Sequence, residues 1–175
     1  VGAAGGKEVK ENNIAAWLTP ALNIHRSPLC GRNFEYYSED PLLAGVLAGA
    51  MVKGIQSQGV AATVKHFALN NKETDRKHSD SRVSERAARE IYLKAFEYVI
   101  KGAKPWAVMS SYNIINGCYA SENKELLEDI LRDEWGFDGM VTTDWWTLGE
   151  HYKEVKAGND MKMACGDPKR LKEAM

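Results

Sequence analysis

Five short apolar segments divide the chain, at positions 17–23 (W-L-T-P-A-L-N), 60–66 (V-A-A-T-V-K-H), 106–112 (W-A-V-M-S-S-Y), 139–144 (G-M-V-T-T-D) and 159–163 (N-D-M-K-M). They read as nearly continuous apolar runs and do not alternate, the pattern of parallel strands covered on both faces, with the fifth the weakest. Helical patterns lie between them. Asp40 followed by Pro41 supplies an N-cap with proline at the first helical position, opening an Ala, Leu and Val-rich helix to about Ser57. Ser84 caps a second helix whose apolar face is Ala88, Tyr92, Phe96 and Val99. Its other face carries Glu85–Arg89, Glu90–Lys94 and Glu97–Lys101, each with the acid four residues before the base. Ser121 is expected to cap a third helix with the stripe Leu126, Leu127, Ile130 and Leu131, stopped at Gly136. A leading helix is expected over about 7–13.

Strand and helix alternate throughout, which means an α/β fold with a parallel sheet. A doubly wound open sheet and part of a (β/α)₈ barrel both satisfy the pattern. No G-x-G-x-x-G follows a strand and no G-x-x-x-x-G-K-[ST] occurs, so a nucleotide crevice has no support. A full barrel needs eight strands and roughly 250 residues. Five strands in 175 residues predict a single partial domain, incomplete at both ends. The chain opens on Val1, with no basic stretch or long apolar core of a signal peptide, and reaches Met175 inside a helical pattern.

Composition narrows the function. Lys and Arg total 23 against 24 Asp and Glu, a net charge of -1, so the basic face of a nucleic-acid binder is not expected. No apolar run approaches the roughly 20 residues of a membrane span. Cys30, Cys118 and Cys165 are odd in number without a C-x-x-C spacing, which argues against a disulfide framework and a structural zinc site and favours a reduced, cytoplasmic setting. The Val1 start leaves a periplasmic or secreted location open.

In either α/β architecture the active site gathers at the C-terminal ends of the strands. There the sequence places Lys65-His66, Met109 through Tyr112, and Asp144-Trp145-Trp146. The intervening loops add His25, Arg26, Arg32, Glu35, Glu73 and Arg76. Singly, each has an ordinary reading: Asp144 as a helix cap, Lys65-His66 as a strand end, Arg32 and Glu35 as a loop salt bridge, the tryptophans as core or rim. Together they offer a carboxylate able to attack an anomeric carbon, cations for hydroxyl groups, and aromatic walls for a pyranose face. The same residues also admit a class I aldolase or lyase with Lys65 as the Schiff-base amine.

Longer motifs separate these readings. The stretches N-I-H-R-S-P-L-C-G-R-N-F-E-Y-Y-S-E-D-P (23–41), Q-G-V-A-A-T-V-K-H-F-A-L-N-N-K-E-T-D-R (58–76), S-E-R-A-A-R-E-I-Y-L (84–93), V-M-S-S-Y-N-I-I-N-G (108–117) and G-F-D-G-M-V-T-T-D-W-W (136–146) resemble glycoside hydrolase family 3, in its β-glucosidase branch. The resemblance implies a (β/α)₈-type barrel and Asp144 as nucleophile, with Thr143 where the family usually has Ser. It implies sugar binding by Arg32, Lys65, His66, Arg76 and Tyr112, with Met109 and Trp145 lining the same pocket. The expected activity is that of a retaining β-glucosidase. It removes a terminal non-reducing β-D-glucosyl residue through a covalent glycosyl-aspartate, with no metal or organic cofactor. A β-xylosidase and a catalytically incomplete sugar-binding fragment are the alternatives. The expected partner is a β-glucoside or oligosaccharide, with no nucleic acid or membrane, and with association to the rest of the enzyme or to another copy. The resemblance places one sugar-binding Asp before Val1 and the general acid/base on a domain after Met175. The stretch A-G-N-D-M-K-M (157–163) usually continues into Pro in the family, and here Ala164 follows. Lys65, Arg76 and Arg32 are expected to favour the charged form of Asp144.

Overall fold

Strands form where the apolar segments lie, and the computed structural model describes residues 1–174. Helix α1 (Gly2–Glu11), strand β1 (Ala16–Trp17), helix α2 (Pro41–Gln56) and strand β2 (Ala61–Phe67) come first. After a short strand β3 (Asp80–Ser81), helix α3 (Glu85–Ala87) runs through a wide turn at Ala88–Tyr92 into α4 (Lys94–Ala103). Strands β4 (Ala107–Ser110), β5 (Ile114–Ile115) and β6 (Cys118–Tyr119) precede a π-helix at Glu125–Glu134. Strand β7 (Met140–Thr143) and helices α5 (His151–Lys156) and α6 (Pro168–Ala174) complete the order. The helical pattern expected to run to Met175 is helix through Ala174, and Met175 lies outside the described residues.

The main sheet is parallel, in the order β1-β2-β4-β7. The order never reverses, so there is no switch point of the doubly wound kind; it is the order of consecutive strands around a barrel wall. The fifth segment contributes less than a strand, a single parallel bridge from Met161 to Thr142. The first segment is cut short for a physical reason: Pro20 has no N–H to give to a ladder. Pairing continues irregularly past it, with the Lys65 N–H donating to Pro20 O at 3.0 Å and the Leu22 N–H to Lys65 O at 2.7 Å.

Asp40 caps α2 as its sequence predicts, its carboxylate accepting from the N–H groups of Leu42 (2.7 Å) and Leu43 (3.2 Å). Ser84 likewise accepts from the Ala87 N–H. Glu85–Arg89 and Glu97–Lys101 pair as the spacing requires. Glu90 instead pairs with Arg86, and Lys94 with Glu97. The wide turn at Ala88–Tyr92, where the Leu93 N–H reaches back five residues to Ala88 O, rotates residues 90 and 94 out of alignment. Asn123, not Ser121, caps the third helix, its side chain accepting from the Leu126 N–H at 3.0 Å. Ser121 is buried and turned inward. Helix α1 begins at Gly2 rather than near Lys7, because it packs on α2 at glycine: a Cβ on Gly2 would lie 2.6 Å from Met51 O, and one on Gly54 2.8 Å from Ala3 N. Close helix contact outweighs the poor helix propensity of a glycine-rich start.

A small second sheet was not expected. Strand β3 pairs parallel with β5, which turns back antiparallel into β6. Asn116 and Gly117, both at positive φ, make the turn, as Asn-Gly does in two-residue hairpins.

The core lies between the main sheet and α2, α4 and the π-helix, and Phe67 is at its centre. Its ring is fully buried and meets Phe96 and Trp135 edge-on, at centroid distances of 5.1 and 5.8 Å. Among the described residues no helix is long and apolar enough to cross a membrane.

Phe67→Ala is expected to lower unfolding stability by ~3–5 kcal/mol. Leu42→Ala, on a side chain 56% exposed on α2, is expected to change it by less than about 0.5 kcal/mol. Urea unfolding of the two variants checks the contrast; equal losses would displace Phe67 from the centre of the core.

Candidate active site

The C-terminal ends of β2, β4 and β7 carry the site. Adjacent parallel strands are about 4.8 Å apart, so residues just past their ends become neighbours without any loop having to reach. Asp144 follows β7, and its N–H donates to Ser110 O at the end of β4, at 3.1 Å. His66 lies near the end of β2, its Nε2 3.8 Å from Asp144 Oδ2. Tyr112 follows β4, with its hydroxyl beside the Asp144 carboxylate.

Asp144 is 7% exposed and its two oxygens differ. Oδ1 accepts the Trp145 N–H at 2.7 Å, whereas Oδ2 is buried without a hydrogen-bond partner. Burial raises the carboxyl above its ordinary value; the Trp145 N–H, Tyr112, Arg32 and Arg76 oppose this without cancelling it. Arg32 and Arg76 thus favour the charged form, as expected of them, while Lys65 is not among the groups that do. Desolvation outweighs them, and Lys65 lies against another carboxylate, Glu35, at 3.3 Å. Burial, with Arg32, Lys65 and Arg76 nearby, holds His66 well below the ordinary imidazole value, so the ring is neutral. Tyr112 is pushed up to about 12, by burial first and then by Asp144, so its hydroxyl keeps its proton and can donate it in a hydrogen bond.

The loops add the cations. Arg32 pairs with Glu35, which bridges to Lys65. The loop salt bridge is thus present, and it carries Lys65 with it. Arg76 is held by Glu73 at 2.9 Å and stacks 4.5 Å over the Tyr112 ring. Lys77 approaches the same ring at 5.1 Å and donates to Trp146 O. Met109 is buried within β4; Val108 beside it belongs to the helix-facing core, so Met109 points to the other face of the sheet. Trp145 meets the site through its backbone N–H, and the Trp146 ring is largely exposed. Arg32, Lys65, His66, Arg76, Tyr112 and Asp144 thus converge at one end of the sheet. Among the described residues no group of three or more His, Cys, Asp or Glu is placed to hold a metal ion.

Two positioning features escaped the sequence. Asn23, buried, accepts the His66 N–H at 2.8 Å and donates to His66 O at 2.9 Å, so its amide holds both backbone polar groups of one residue. Its only signal was a polar residue inside an apolar segment. The Lys65–His66 and Phe67–Ala68 peptides are cis, and the β2–β4 register shifts between Val64 and Phe67.

The chain is 67% identical over its full length to β-glucosidase A of Butyrivibrio fibrisolvens, of which it spans 21%. It is 51% identical over 163 residues, 93% of the chain, to an exo-α-(1→6)-L-arabinopyranosidase of Bifidobacterium longum, spanning 22% of that protein. The structure of β-glucosidase 3B from Thermotoga neapolitana in complex with glucose superposes with a TM-score of 0.91 at 57% identity, over 93% of this chain and 23% of that one. The chain therefore spans about a fifth of the length of the relatives it matches. Its whole length, residues 1–175, matches the family described as glycosyl hydrolase family 3 N terminal domain, and the chain belongs to that family.

Proposed function

We propose that the chain carries the nucleophile and most of the sugar-binding side chains of a retaining β-glucosidase. The observation that carries this is the Asp144 carboxylate: buried at a strand end, with one oxygen tied to the backbone and the other free of partners, facing a neutral His66 and flanked by Arg32 and Arg76. Asp144 attacks the anomeric carbon of a terminal β-D-glucosyl unit, and the leaving oxygen departs with a proton. Oδ1 is held by the Trp145 N–H, which leaves Oδ2 as the attacking oxygen. Arg76, His66, Lys65 and the Tyr112 hydroxyl donate to or accept from sugar hydroxyls as charge develops on the ring.

A retaining enzyme needs a second carboxyl roughly 5–5.5 Å from the nucleophile, to protonate the leaving group. The carboxylates on the strand-end loops of this chain are engaged: Glu35 with Arg32 and Lys65, Glu73 with Arg76 and Asn70. We assign that role to a carboxyl outside residues 1–175, so this chain alone is a partial catalytic domain. The arabinopyranosidase relative supports assaying pentopyranosides, xylosides included, beside glucosides. The aldolase reading requires a Lys65 amine free to attack a carbonyl, whereas its ammonium pairs with Glu35.

Three outcomes are expected of the protein expressed from its complete reading frame. A 2-deoxy-2-fluoro glucoside should label Asp144, as read by peptide mass mapping; a label elsewhere overturns the assignment, and a borohydride-reduced adduct on Lys65 would restore the aldolase. Arg76→Ala should cost about 2.7–4 kcal/mol in kcat/KM if its contact strengthens in the transition state; a loss of a few-fold would leave Arg76 a loop ion pair. The acid limb of the kcat/KM profile should lie above the ordinary aspartate value of about 3.9, because Asp144 must be ionised to attack and burial resists ionisation. Arg76→Met removes a cation that favours the ionised form, so the limb should move to higher pH; a downward shift would contradict the geometry.

A further inference from the structure

A second polar cluster lies outside the site and no sugar-binding role uses it. Glu154 on α5 is completely buried and Lys162 nearly so, with side chains 0% and 4% exposed, and the two form an ion pair. The ammonium has three protons, and each has a partner: the Glu154 carboxylate, Thr147 Oγ1 at 3.1 Å and Gly149 O at 2.9 Å. The other Glu154 oxygen accepts the Ser121 hydroxyl at 2.8 Å. Asn159 closes the cluster by donating to Ser121 O and Glu154 O and accepting the Ser110 hydroxyl at 2.9 Å. Burying two charges is costly unless the pair is well hydrogen-bonded, and here all three ammonium protons and both carboxylate oxygens have partners.

The cluster touches both flanks of Asp144. On one side, Ser110 offers its hydroxyl to Asn159 and its carbonyl to the Asp144 N–H. On the other, Lys162 holds Thr147 and Gly149, the far end of the loop that begins at Asp144. The backbone around Lys162 adds to this: Met161 O accepts the Thr143 N–H at 2.9 Å and Met163 O the Trp146 N–H at 3.3 Å. Neither Lys162 nor Glu154 reaches the Asp144 carboxylate. What they fix is the path of residues 144–149, and with it the Trp145 peptide whose N–H orients Asp144 Oδ1.

We propose that Lys162, locked to Glu154, is a positioning residue that sets the aim of the Asp144 carboxylate by tying down the loop at 144–149. This rests on the reading of Asp144 as nucleophile only for its catalytic consequence.

The test uses the protein from its complete reading frame. Lys162→Met alone would strand the Glu154 charge, so the principal variant is the double Lys162→Met, Glu154→Gln. Thr147→Val, which removes one acceptor without stranding a charge, is the second. Both should retain cooperative melting and the parent's affinity for glucose, since the sugar-binding side chains are untouched. Amide hydrogen exchange across 145–147 should accelerate. Labelling of Asp144 by the 2-deoxy-2-fluoro glucoside should slow by roughly 10- to 100-fold in the double variant, the scale of a reacting group displaced by about 1 Å, and by less in Thr147→Val. If the double variant does not fold, Thr147→Val carries the same two readouts. A folded variant that exchanges and labels at the parent's rates overturns the proposal. If the parent itself is not labelled at Asp144, the glycosidase reading fails, and the exchange measurement still decides whether Lys162 holds the loop.

Discussion

Parallel pairing of β4 with β2 on one side and β7 on the other is the constraint from which the rest follows. It sets three strand ends side by side, with His66 the last residue but one of β2 and Tyr112 and Asp144 just past the ends of β4 and β7. The His66 and Asp144 side chains reach across the end of β4, the strand between theirs, and bring an imidazole to 3.8 Å from a carboxylate. The loops then need supply only cations, and both arginines arrive already held by a nearby glutamate, Arg32 by Glu35 and Arg76 by Glu73. Such pairing gives long side chains a fixed direction before any ligand is present.

The electrostatics of the site show two effects pulling against each other. Arg32 and Arg76 favour the Asp144 anion, and burial disfavours it more. The same arginines, with Lys65 and with burial, keep His66 neutral, so no imidazolium competes for the carboxylate. A carboxylate of this kind holds its charge against its surroundings rather than being stabilised by a single tight ion pair. A tight pair would have to be broken in order to react.

Much of this was legible in the sequence because it depends on local pattern. Apolar runs ending in Lys65-His66, Met109 through Tyr112 and Asp144 mark strands and place chemistry at one end of them, and Asp40-Pro41 and Ser84 mark helix starts. Other features were hidden because they depend on what lies across the fold. The pairing of Lys162 with Glu154 joins residues from a weak strand pattern and a short helix, and nothing in either segment says that both are buried. The wide turn at Ala88–Tyr92 shifts an ion-pair spacing that an ordinary helix would keep. Ser121 looks like a helix cap until Glu154 is known to lie opposite it. The Asn116-Gly117 hairpin was missed for a different reason: its dipeptide is a turn signal, but the strands beside it are two residues each and make no apolar run.

Asn23 shows how a fold can substitute chemistry for geometry. Past Pro20 the first strand no longer offers β2 a regular backbone edge, and at His66 the missing peptide is replaced by a side-chain amide of the same size and polarity. A peptide mimic must present a donor and an acceptor together. Aspartate has no donor, leucine has neither, and glutamine sets the pair one methylene too far out. Leu22 and Ile24 on either side are constrained only in volume, and several apolar residues meet that condition. Position 23 is constrained in identity, so the alphabet available to this strand narrows to one letter at the point where its backbone stops pairing.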